Sequence, residues 1–380
     1  MRSNPRVAIV IDLEWPVAYH LQTFAGIYRY ATEHGHWNSS IAPYLDAASI
    51  QESSFDGVIG RITPRLAGAV RKLGVPVVNV WLNSPAKGVF SVLPDVTEAG
   101  RMSVQHLLAR GFRKFAYVGY EQDRFSYLQL TGIREQLASA DCRLWEHWTA
   151  RLRPEDKQRW QRFQRELDGW FDKWTPPVAV IATNDQLARY LIEAAQRRGL
   201  QVPTDVAFIG SVNEVAICTM LEPSLTSIDY GFERIGYAAA KALDLWMQQK
   251  SPRSGAVYLP PRQLIIRQSS GAFAVDQPAV VAVLSYISEN LHKALTLERL
   301  AKRVATTPRT LSRLFQKSLG KTVHEMVTQL RIERVKRELV ESDDLLKIIA
   351  RRCGFRDAVY MCKVFQGLEK ITPSQYRASR

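Results

Sequence analysis

The stretch LTLERLAKRVATTPRTLSRLFQKSLGKT, residues 295–322, has the pattern of two short helices separated by a turn. Apolar residues recur at helical spacing around Leu300, and the polar residues 305–307 interrupt that spacing. Pro308 suits the first turn of a second helix, which Thr307 can cap. We therefore predict a helix-turn-helix unit. The second helix is predicted to be buried through Leu311, Leu314 and Phe315 and to expose Arg309, Thr310, Ser312, Arg313 and Gln316.

A second stretch, LLKIIARRCGFRDAVYMCKVFQGLEKITPSQYR at residues 345–377, repeats this pattern. A turn at Gly354-Phe355 separates two predicted helices, and helical spacing predicts that Ile348, Ile349 and Ala350 face inward. The second helix is predicted to be buried through Tyr360, Val364 and Phe365 and to expose Arg356, Asp357, Ala358, Val359, Cys362 and Lys363.

Helices presented in this way fit the major groove of duplex DNA and can read base edges there. Arg309 and Arg313 lie four residues apart and so project from one helix face, where either can pair with guanine. Ala358 and Val359 carry no polar side-chain atom, and we expect them to contact thymine methyl groups. The long helix at 323–342 should hold the two units about one turn of DNA apart. We expect phosphate contacts from Lys317, Lys321 and Lys370.

The alternative to DNA binding is a helical domain with a solvated basic face. Two patterns with the same offsets favour DNA, and so does the charge distribution. The 380-residue chain has a formal net charge of +14. Residues 276–380 hold 20 Lys and Arg against 11 Asp and Glu, so 9 of the 14 positive charges fall on this segment. A cation-rich segment of this kind is the electrostatic footprint that phosphate binding requires.

The same segment resembles the AraC/XylS family of transcription factors over residues 278–380. The matching residues are Ile349-Ala350, Gly354-Phe355, Tyr360, Phe365, Thr372-Pro373 and Tyr376-Arg377. The resemblance implies an all-α tandem helix-turn-helix domain that binds double-stranded DNA, with RNA polymerase as a further partner.

The preceding part of the chain alternates apolar runs with helical patterns, which predicts a doubly wound α/β architecture. Ligands of such sheets bind beyond the carboxyl ends of the strands. The predicted strands are 7–11, 57–60, 75–80, 115–119, 178–182 and 206–210, and the predicted helices include 66–73, 99–110, 128–138, 186–198 and 231–249.

Residues 6–268 resemble the two-lobed, type I periplasmic-binding-protein fold of LacI/GalR regulators. The residues that carry this resemblance are Gly26, Asp95, His106-Leu107, Gly111, Asn184-Asp185, Val202-Pro203, Ile209-Gly210, Leu225-Thr226-Ser227 and Gly236. Those regulators carry a DNA-binding headpiece ahead of the sensor, whereas here the first strand begins near residue 6, so we expect no headpiece. The domain order, a LacI/GalR-like sensor followed by an AraC-type helix-turn-helix domain, resembles that of the xylose-operon regulators. It implies a sensor at 1–268, a linker at 269–277, a reader at 278–380 and a homodimer.

Sugar binding requires carboxylates and amides for the hydroxyls and an aromatic face for the C–H side. Side chains of these types follow the predicted strands at Glu14, Trp15, Trp81, Asn83, Asp185, Asn213 and Glu214. Trp81 could instead be a core residue, and Asp185 could instead cap a helix. The resemblance implies that Asp185 contacts ligand.

The chain departs from the resembled sensors at three positions. Val212 stands where an Asp is expected, Gln129 where an Arg is expected, and Tyr230 where a polar amide is expected. Gln129 and Tyr230 remain candidate ligand residues. Xylose is therefore one candidate effector, and another sugar or polyol is another.

Other functions are less well supported by the sequence. It contains no GxGxxG, Walker, HExxH or GxSxG motif, so we predict no enzyme, catalytic residue or cofactor. The pair His34 and His36 suggests a helix end and turn rather than a metal site, and residues 151–174 suggest an amphipathic helix. The scattered cysteines, the short N-terminal apolar run and the lack of a membrane span favour a cytoplasmic protein. A transport-type sugar binder without a DNA role is the alternative.

Overall fold

The computed structural model describes residues 4–13, 18–138, 140–152, 155–248, 255–271, 273–275 and 277–379. The chain divides into two compact units. The first unit comprises Met1–Glu98, Gln122–Leu128 and Tyr230–Pro261, and the second comprises Ala99–Glu121, Gln129–Asp229 and Arg262–Arg380.

The α/β part contains twelve strands in its described residues. They are β1 (Arg6–Val10), β2 (Asn38–Ile41), β3 (Gly57–Gly60), β4 (Val77–Asn79), β5 (Phe90–Pro94), β6 (Lys114–Tyr120), β7 (Arg143–Thr149), β8 (Val178–Ala182), β9 (Val206–Ser211), β10 (Thr226–Asp229), β11 (Ala256–Leu259) and β12 (Gln263–Ile265). Its helices are α1 (Ala18–Tyr30), α2 (Ala47–Ser53), α3 (Pro64–Leu73), α4 (Val96–Ala109), α5 (Arg124–Leu137), α6 (Lys157–Phe171), α7 (Asp185–Arg197), α8 (Val215–Met220) and α9 (Phe232–Met247).

Each unit is built on a six-stranded sheet. The first sheet has the order β11-β5-β4-β3-β1-β2, and all its strands are parallel. The second has the order β12-β10-β9-β8-β6-β7, in which only β12 is antiparallel to its neighbour. Val178–Ala182 are fully buried, as expected of a central parallel strand covered by helices on both faces.

The predicted α/β alternation is confirmed, but several predicted elements are incomplete. The predicted strand at 75–80 is only Val77–Asn79, and the pattern missed β2, β5, β7, β10, β11 and β12. The predicted amphipathic helix at 151–174 is α6, which buries Phe163 and Leu167. His36 adopts a left-handed conformation after a short π-helix at Ala31–Gly35, as the helix-end reading predicted.

The C-terminal part is entirely helical in its described residues. Its helices are α10 (Pro278–Glu289), α11 (Leu297–Arg303), α12 (Pro308–Leu319), α13 (Val323–Glu341), α14 (Leu346–Arg352), α15 (Ala358–Glu369) and α16 (Pro373–Ser379). One apolar core joins α10, α11, α12 and the start of α13, and a second joins the end of α13 to α14, α15 and α16. The tandem helix-turn-helix prediction is confirmed, with α13 shared by both units.

The described residues of the predicted linker, 269–271, 273–275 and 277, include buried side chains. Gln268–Ser270 form a short 3-10 helix in which Ser269 and Ser270 are fully buried. Phe273 joins the apolar core of the first helix-turn-helix unit. Small hydroxyl side chains fit this segment because they fill little space and find hydrogen-bond partners. No helix in the described ranges is long and apolar enough to cross a bilayer.

Candidate DNA interface and ligand site

The first recognition helix, α12, is placed by its cap and its apolar face. Thr307 accepts a hydrogen bond from the Thr310 backbone N–H at 3.1 Å, and Pro308 occupies the first turn, as predicted. Leu311 and Phe315 are fully buried. The opposite face exposes Arg309, Arg313, Gln316 and Lys317, while Thr310 and Ser312 are half-buried. No acidic side chain among the described residues forms an ion pair with Arg309, Arg313 or Lys317.

The second recognition helix, α15, follows the same plan with fewer charges. Asp357 caps it by accepting from the Tyr360 backbone N–H at 2.7 Å, and Met361 and Phe365 bury its inner face. Val359 is 81% exposed, which places an apolar side chain in the open on a recognition helix. Of the other predicted contacts, Arg356 and Lys363 are exposed, and Ala358 and Cys362 are half-buried.

Asp357 is less available than the sequence suggested. Besides capping α15, its carboxylate forms a 2.9 Å ion pair with Arg356, whose guanidinium also lies 4.9 Å from the Tyr360 ring centre. Both carboxylate oxygens therefore have partners within the protein. Its contact with DNA remains a prediction.

Some basic residues away from the recognition helices have acidic partners within the domain. On α13, Lys336 pairs with Glu369 at 2.9 Å. Arg352 pairs with Glu338 at 2.9 Å and with Asp344 at 2.7 Å. Arg309, Arg313 and Lys317 on α12 are among the cations for which the described residues provide no acidic partner.

Two predicted phosphate contacts are occupied locally. The Lys321 ammonium donates to Gln329 at 2.5 Å, and burial lowers its pKa. The Lys370 ammonium donates to the Gly367 carbonyl at 2.8 Å. These interactions tie both lysines to helix ends, so of the three predicted phosphate contacts only Lys317 is exposed without a local partner among the described residues.

The second helix-turn-helix unit also contains a correction. Ile348 was predicted to face inward, but it is 41% exposed, whereas Ile349 and Ala350 are buried. Helix α14 has only seven residues, so it presents one narrow face to the core and cannot bury three consecutive side chains.

The candidate ligand residues of the first unit follow β4. Trp81 lies under the Arg61 guanidinium, whose carbon is 4.6 Å from the Trp81 ring centre. The Asn83 amide donates to Asp123 at 2.7 Å and accepts from the Phe125 backbone N–H at 3.2 Å. Asn83 therefore fastens the 122–128 segment to the loop after β4. Glu14 and Trp15 lie outside the described residues.

A buried histidine that the sequence did not indicate supports Arg61. His20 is 5% exposed; its Nδ1 lies 2.9 Å from the Asp12 carbonyl and its Nε2 lies 3.3 Å from an Arg61 nitrogen. Arginine can only donate, so Nε2 accepts and Nδ1–H donates to Asp12. Burial lowers the His20 pKa, which favours this neutral form. Arg61 directly follows β3, and this position at a strand end is the one sequence signal that could have identified it.

The candidate ligand residues of the second unit centre on Asp185, the first residue of α7. Its carboxylate accepts from the Ser227 hydroxyl at 2.5 Å and from the Glu214 backbone N–H at 2.7 Å. Asn184, not Asp185, caps α7, so the capping alternative is wrong for Asp185. Because Asp185 is only 1% exposed, burial raises its pKa to about 7 despite these hydrogen bonds and a further one from the Cys218 thiol.

The loop after β9 is held in an unusual conformation. Val212 has φ of 95° and Asn213 has φ of 52°, both in the left-handed region. For a β-branched residue this is a strained conformation. The Asn213 side-chain oxygen accepts from Arg267 at 2.8 Å, and its backbone N–H donates to Ser227 at 3.0 Å. Glu214 is half-buried, and burial raises its pKa.

Gln129 and Tyr230 are both fully buried. The Gln129 amide accepts from the Tyr117 hydroxyl at 3.2 Å and donates to Ser211 at 2.6 Å, so its polar atoms have partners within the second unit. The Tyr230 ring packs within the first unit, 5.5 Å from Phe125. No group of three or more His, Cys, Asp or Glu in the part of the chain that the structure describes is placed to hold a metal ion.

Comparisons with known proteins match both parts of the chain. A model of a periplasmic binding protein-like domain matches residues 104–270, and a model of a helix-turn-helix domain matches residues 300–379. The xylose operon regulatory protein of Escherichia coli strain K12 is 24% identical over 371 residues, which cover 95% of this chain and 94% of that protein. The protein of the same name from Haemophilus influenzae is 23% identical over 337 residues, covering 87% and 86%.

A solved structure has the same architecture. The structure of a xylose-binding transcription activator is similar with a TM-score of 0.63 at 22% identity, and the match covers 99% of this chain and 98% of that one. The predicted fold class, a two-sheet α/β part followed by a helical part, is thereby confirmed.

Proposed function

We propose that this chain, a transcription regulator that joins a periplasmic binding protein-like domain to an AraC-type helix-turn-helix domain, controls a sugar-utilisation operon in response to a bound sugar. It is a regulator and not an enzyme. The observation that carries the proposal is the pair of recognition helices, of which α12 presents Arg309, Arg313 and Lys317 with no acidic partner among the described residues. Cations placed in this way are free to meet phosphate and guanine.

The two helix-turn-helix units would bind successive major grooves on one face of the duplex. Arg309 and Arg313 are the proposed base-reading arginines, and Lys317 the proposed phosphate contact. Exposure of Val359 supports an apolar contact with a thymine methyl group from the second unit. The further proposed contacts are Thr310, Ser312, Gln316, Arg356, Asp357, Ala358, Cys362 and Lys363.

The proposed effector is a sugar or polyol that binds beyond the carboxyl ends of parallel strands. The names of the relatives point to xylose. This chain, however, lacks some of the ligand residues expected from the resembled sensors, since Val212 stands in place of an Asp. The side chains of Gln129 and Asn83 already form hydrogen bonds within the protein, which supports a role for both in shaping the site rather than in contacting the ligand. Trp81, Asp185, Asn213 and Glu214 are the proposed direct contacts.

The proposed assembly is a cytoplasmic homodimer that activates transcription with RNA polymerase. The homodimer and the polymerase contact are expected from the resemblance of the two domains to LacI/GalR-type and AraC-type regulators. Sedimentation of the full chain with and without duplex DNA tests the dimer, and transcription from the selected duplex with purified polymerase tests activation.

The DNA proposal is tested with duplexes that the full-length protein selects from a random library. Arg313→Ala should weaken binding to the selected duplex by about 1 to 3 kcal/mol and relax discrimination at one base pair. Arg198→Ala removes the same charge from the α/β part, where Arg198 pairs with Asp168 at 2.6 Å, and should leave discrimination intact. Failure of the wild-type protein to enrich any sequence would refute the DNA proposal. An equal loss on selected and unrelated duplexes would restrict Arg313 to a phosphate contact.

The sugar proposal is tested separately by thermal shift of the full chain with pentoses, hexoses and uronic acids. A true effector at 100 times its Kd should stabilise the protein by about 2.7 kcal/mol. Asp185→Ala should abolish the shift. If no sugar in the panel raises Tm, the effector is not a simple sugar.

A further inference from the structure

A series of hydrogen bonds in the second unit leads from the loop after β9 to α13, the helix shared by the two helix-turn-helix units. The series is buried at its centre and partly exposed at its two ends. It starts at Asn213, whose side-chain oxygen accepts from Arg267 at 2.8 Å. The other nitrogen of that guanidinium donates to the Leu225 carbonyl at 2.7 Å. Arg267 therefore fixes the loop after β9 and the start of β10 to one rigid planar group.

The backbone of Arg267 continues the series through a threonine. Its N–H donates to the Thr226 hydroxyl oxygen at 2.8 Å, and its carbonyl accepts from that hydroxyl at 3.2 Å. The same Thr226 oxygen accepts from the Ser270 hydroxyl at 2.8 Å. Thr226 and Ser270 are both fully buried, so neither hydroxyl can exchange its partner for water without a cost.

A histidine and an arginine complete the series. His106 Nε2 lies 2.8 Å from the Ser270 hydroxyl, and its Nδ1 lies 2.9 Å from an Arg110 nitrogen. Arg110 can only donate, so His106 accepts at Nδ1 and donates from Nε2 to Ser270. Arg110 reaches Glu333 on α13 at 3.4 Å with a side chain that is only 7% exposed.

One set of hydrogen bonds runs in a single direction from Arg110 to the Arg267 carbonyl, although the Arg267 N–H donates to Thr226 in the opposite sense. Arg110 donates to His106, His106 to Ser270, Ser270 to Thr226, and Thr226 to the Arg267 carbonyl. Burial lowers the His106 pKa well below its usual value, so the neutral form that this order requires is the form present. Hydrogen bonds that share one direction in a dry interior polarise one another.

We propose that Arg110 and Arg267 are positioning residues at the two ends of this series of hydrogen bonds. The series links the loop after β9, where the effector is proposed to bind, to α13, the helix shared by the two helix-turn-helix units. The roles of the two ends rest on the proposed function, but the physical link does not. A change at Asn213 would reach α13 through Thr226, Ser270 and His106, which are buried and have no alternative partners in solvent.

The neighbouring contacts fit this role. Phe273 lies 5.8 Å from the Arg110 guanidinium carbon and belongs to the apolar core of the first helix-turn-helix unit. The Ala274 backbone N–H donates to the Arg110 carbonyl at 2.8 Å. Arg110 is thus held by both the α/β part and the helical part, so its displacement would alter the support of α13.

Amide hydrogen exchange of the full-length protein without ligand or DNA tests the link. Thr226→Val keeps the shape of the side chain and removes the hydroxyl that joins Arg267 to Ser270. We expect exchange in residues 323–341 to rise roughly fivefold, the effect of one lost hydrogen bond. Exchange in α6, which lies in the same unit outside this series, should be unchanged. The matched control is Thr219→Val, since the Thr219 hydroxyl donates to the Val215 carbonyl at 2.8 Å and takes no part in the series.

Two results would overturn the proposal. One is a rise confined to residues 225–230 and 266–270 with α13 unchanged, which would make Thr226 a local structural residue. The other is a uniform rise that includes α6, which would show global destabilisation. Ser270→Ala removes the next hydroxyl and decides the outcome if the Thr226 variant does not fold. Because the measurement uses neither sugar nor DNA, its failure is distinct from failure of the proposed function.

Discussion

Replacing Asp185 with Asn should change how stability depends on pH. In the folded protein burial raises the Asp185 pKa to about 7, from 3.8 for the ordinary group. Between those values the folded chain holds a proton that the unfolded chain has lost, so the free energy of unfolding falls as pH rises. The whole shift corresponds to about 4 kcal/mol at 1.36 kcal/mol per pH unit. The free energy of unfolding should fall by roughly 3 kcal/mol between pH 4.5 and pH 7.5.

Asparagine resembles the protonated carboxyl and cannot ionise. Its oxygen can accept from the Glu214 backbone N–H while its NH2 group donates to the Ser227 hydroxyl, so the local geometry is retained. The Tm of Asp185→Asn minus that of the wild type should therefore become more positive from pH 4.5 to pH 7.5. Asp168→Asn, which removes an exposed carboxylate from the same unit, is the control and should show no such trend. A Tm difference for Asp185→Asn that is constant across this range, or that falls, would refute the assigned burial cost.

Three further predictions concern the helical part, and the first two are measured by urea titration. Gly354→Ala should lower the free energy of unfolding by more than about 2 kcal/mol, because Gly354 has φ of 81° and a Cβ there would lie 1.9 Å from the Leu291 carbonyl oxygen. The control Gly320→Ala, at a residue with φ of 65° and open space around it, should lower it by only about 1 kcal/mol. Thr322→Ala removes the capping box of α13 and should lower the unfolding free energy by about 1 kcal/mol, and an unchanged midpoint would contradict this. Val359→Ser should leave the unfolding free energy within about 0.5 kcal/mol, because the side chain is 81% exposed, yet weaken binding to the selected duplex. Equal affinity of the serine variant would exclude the thymine contact.

The elements that could be predicted from the sequence are those whose burial is continuous or periodic. Residues 178–182 are apolar throughout because both faces of that strand are covered, and the pattern is visible without any partner. The missed strand β2 has the sequence NSSI and lies at the sheet edge, where its side chains are largely exposed. An edge strand has little apolar periodicity, so its structure depends on pairing with β1, which the sequence does not show.

The recognition helices could be predicted because their caps and apolar faces are local. Thr307, Pro308 and Phe315 fall within nine residues of one another and act within a single helix. For the ligand site, the sequence predicted only that its residues follow the ends of strands, not which side chains contact one another. His20 and Arg61 are 41 residues apart in sequence, and their contact is a product of tertiary folding. Gln129 was a candidate ligand residue by position, but the structure gives it partners at Tyr117 and Ser211.

The strain in the loop at Val212 would contribute to the proposed response to an effector. An effector shifts an equilibrium only by the difference in its affinity for the two states, and moving from 1:99 to 99:1 requires about 5.5 kcal/mol. A few sugar hydrogen bonds to one state would supply only part of this. A β-branched residue held at φ of 95° stores about 1 to 3 kcal/mol, which becomes available if effector contacts let the loop relax. Because the Asn213 side chain accepts a hydrogen bond from Arg267, that relaxation would displace the first member of the series of hydrogen bonds that ends at Glu333. The strain would make the loop able to change, and the proposed series of hydrogen bonds would carry the change to α13.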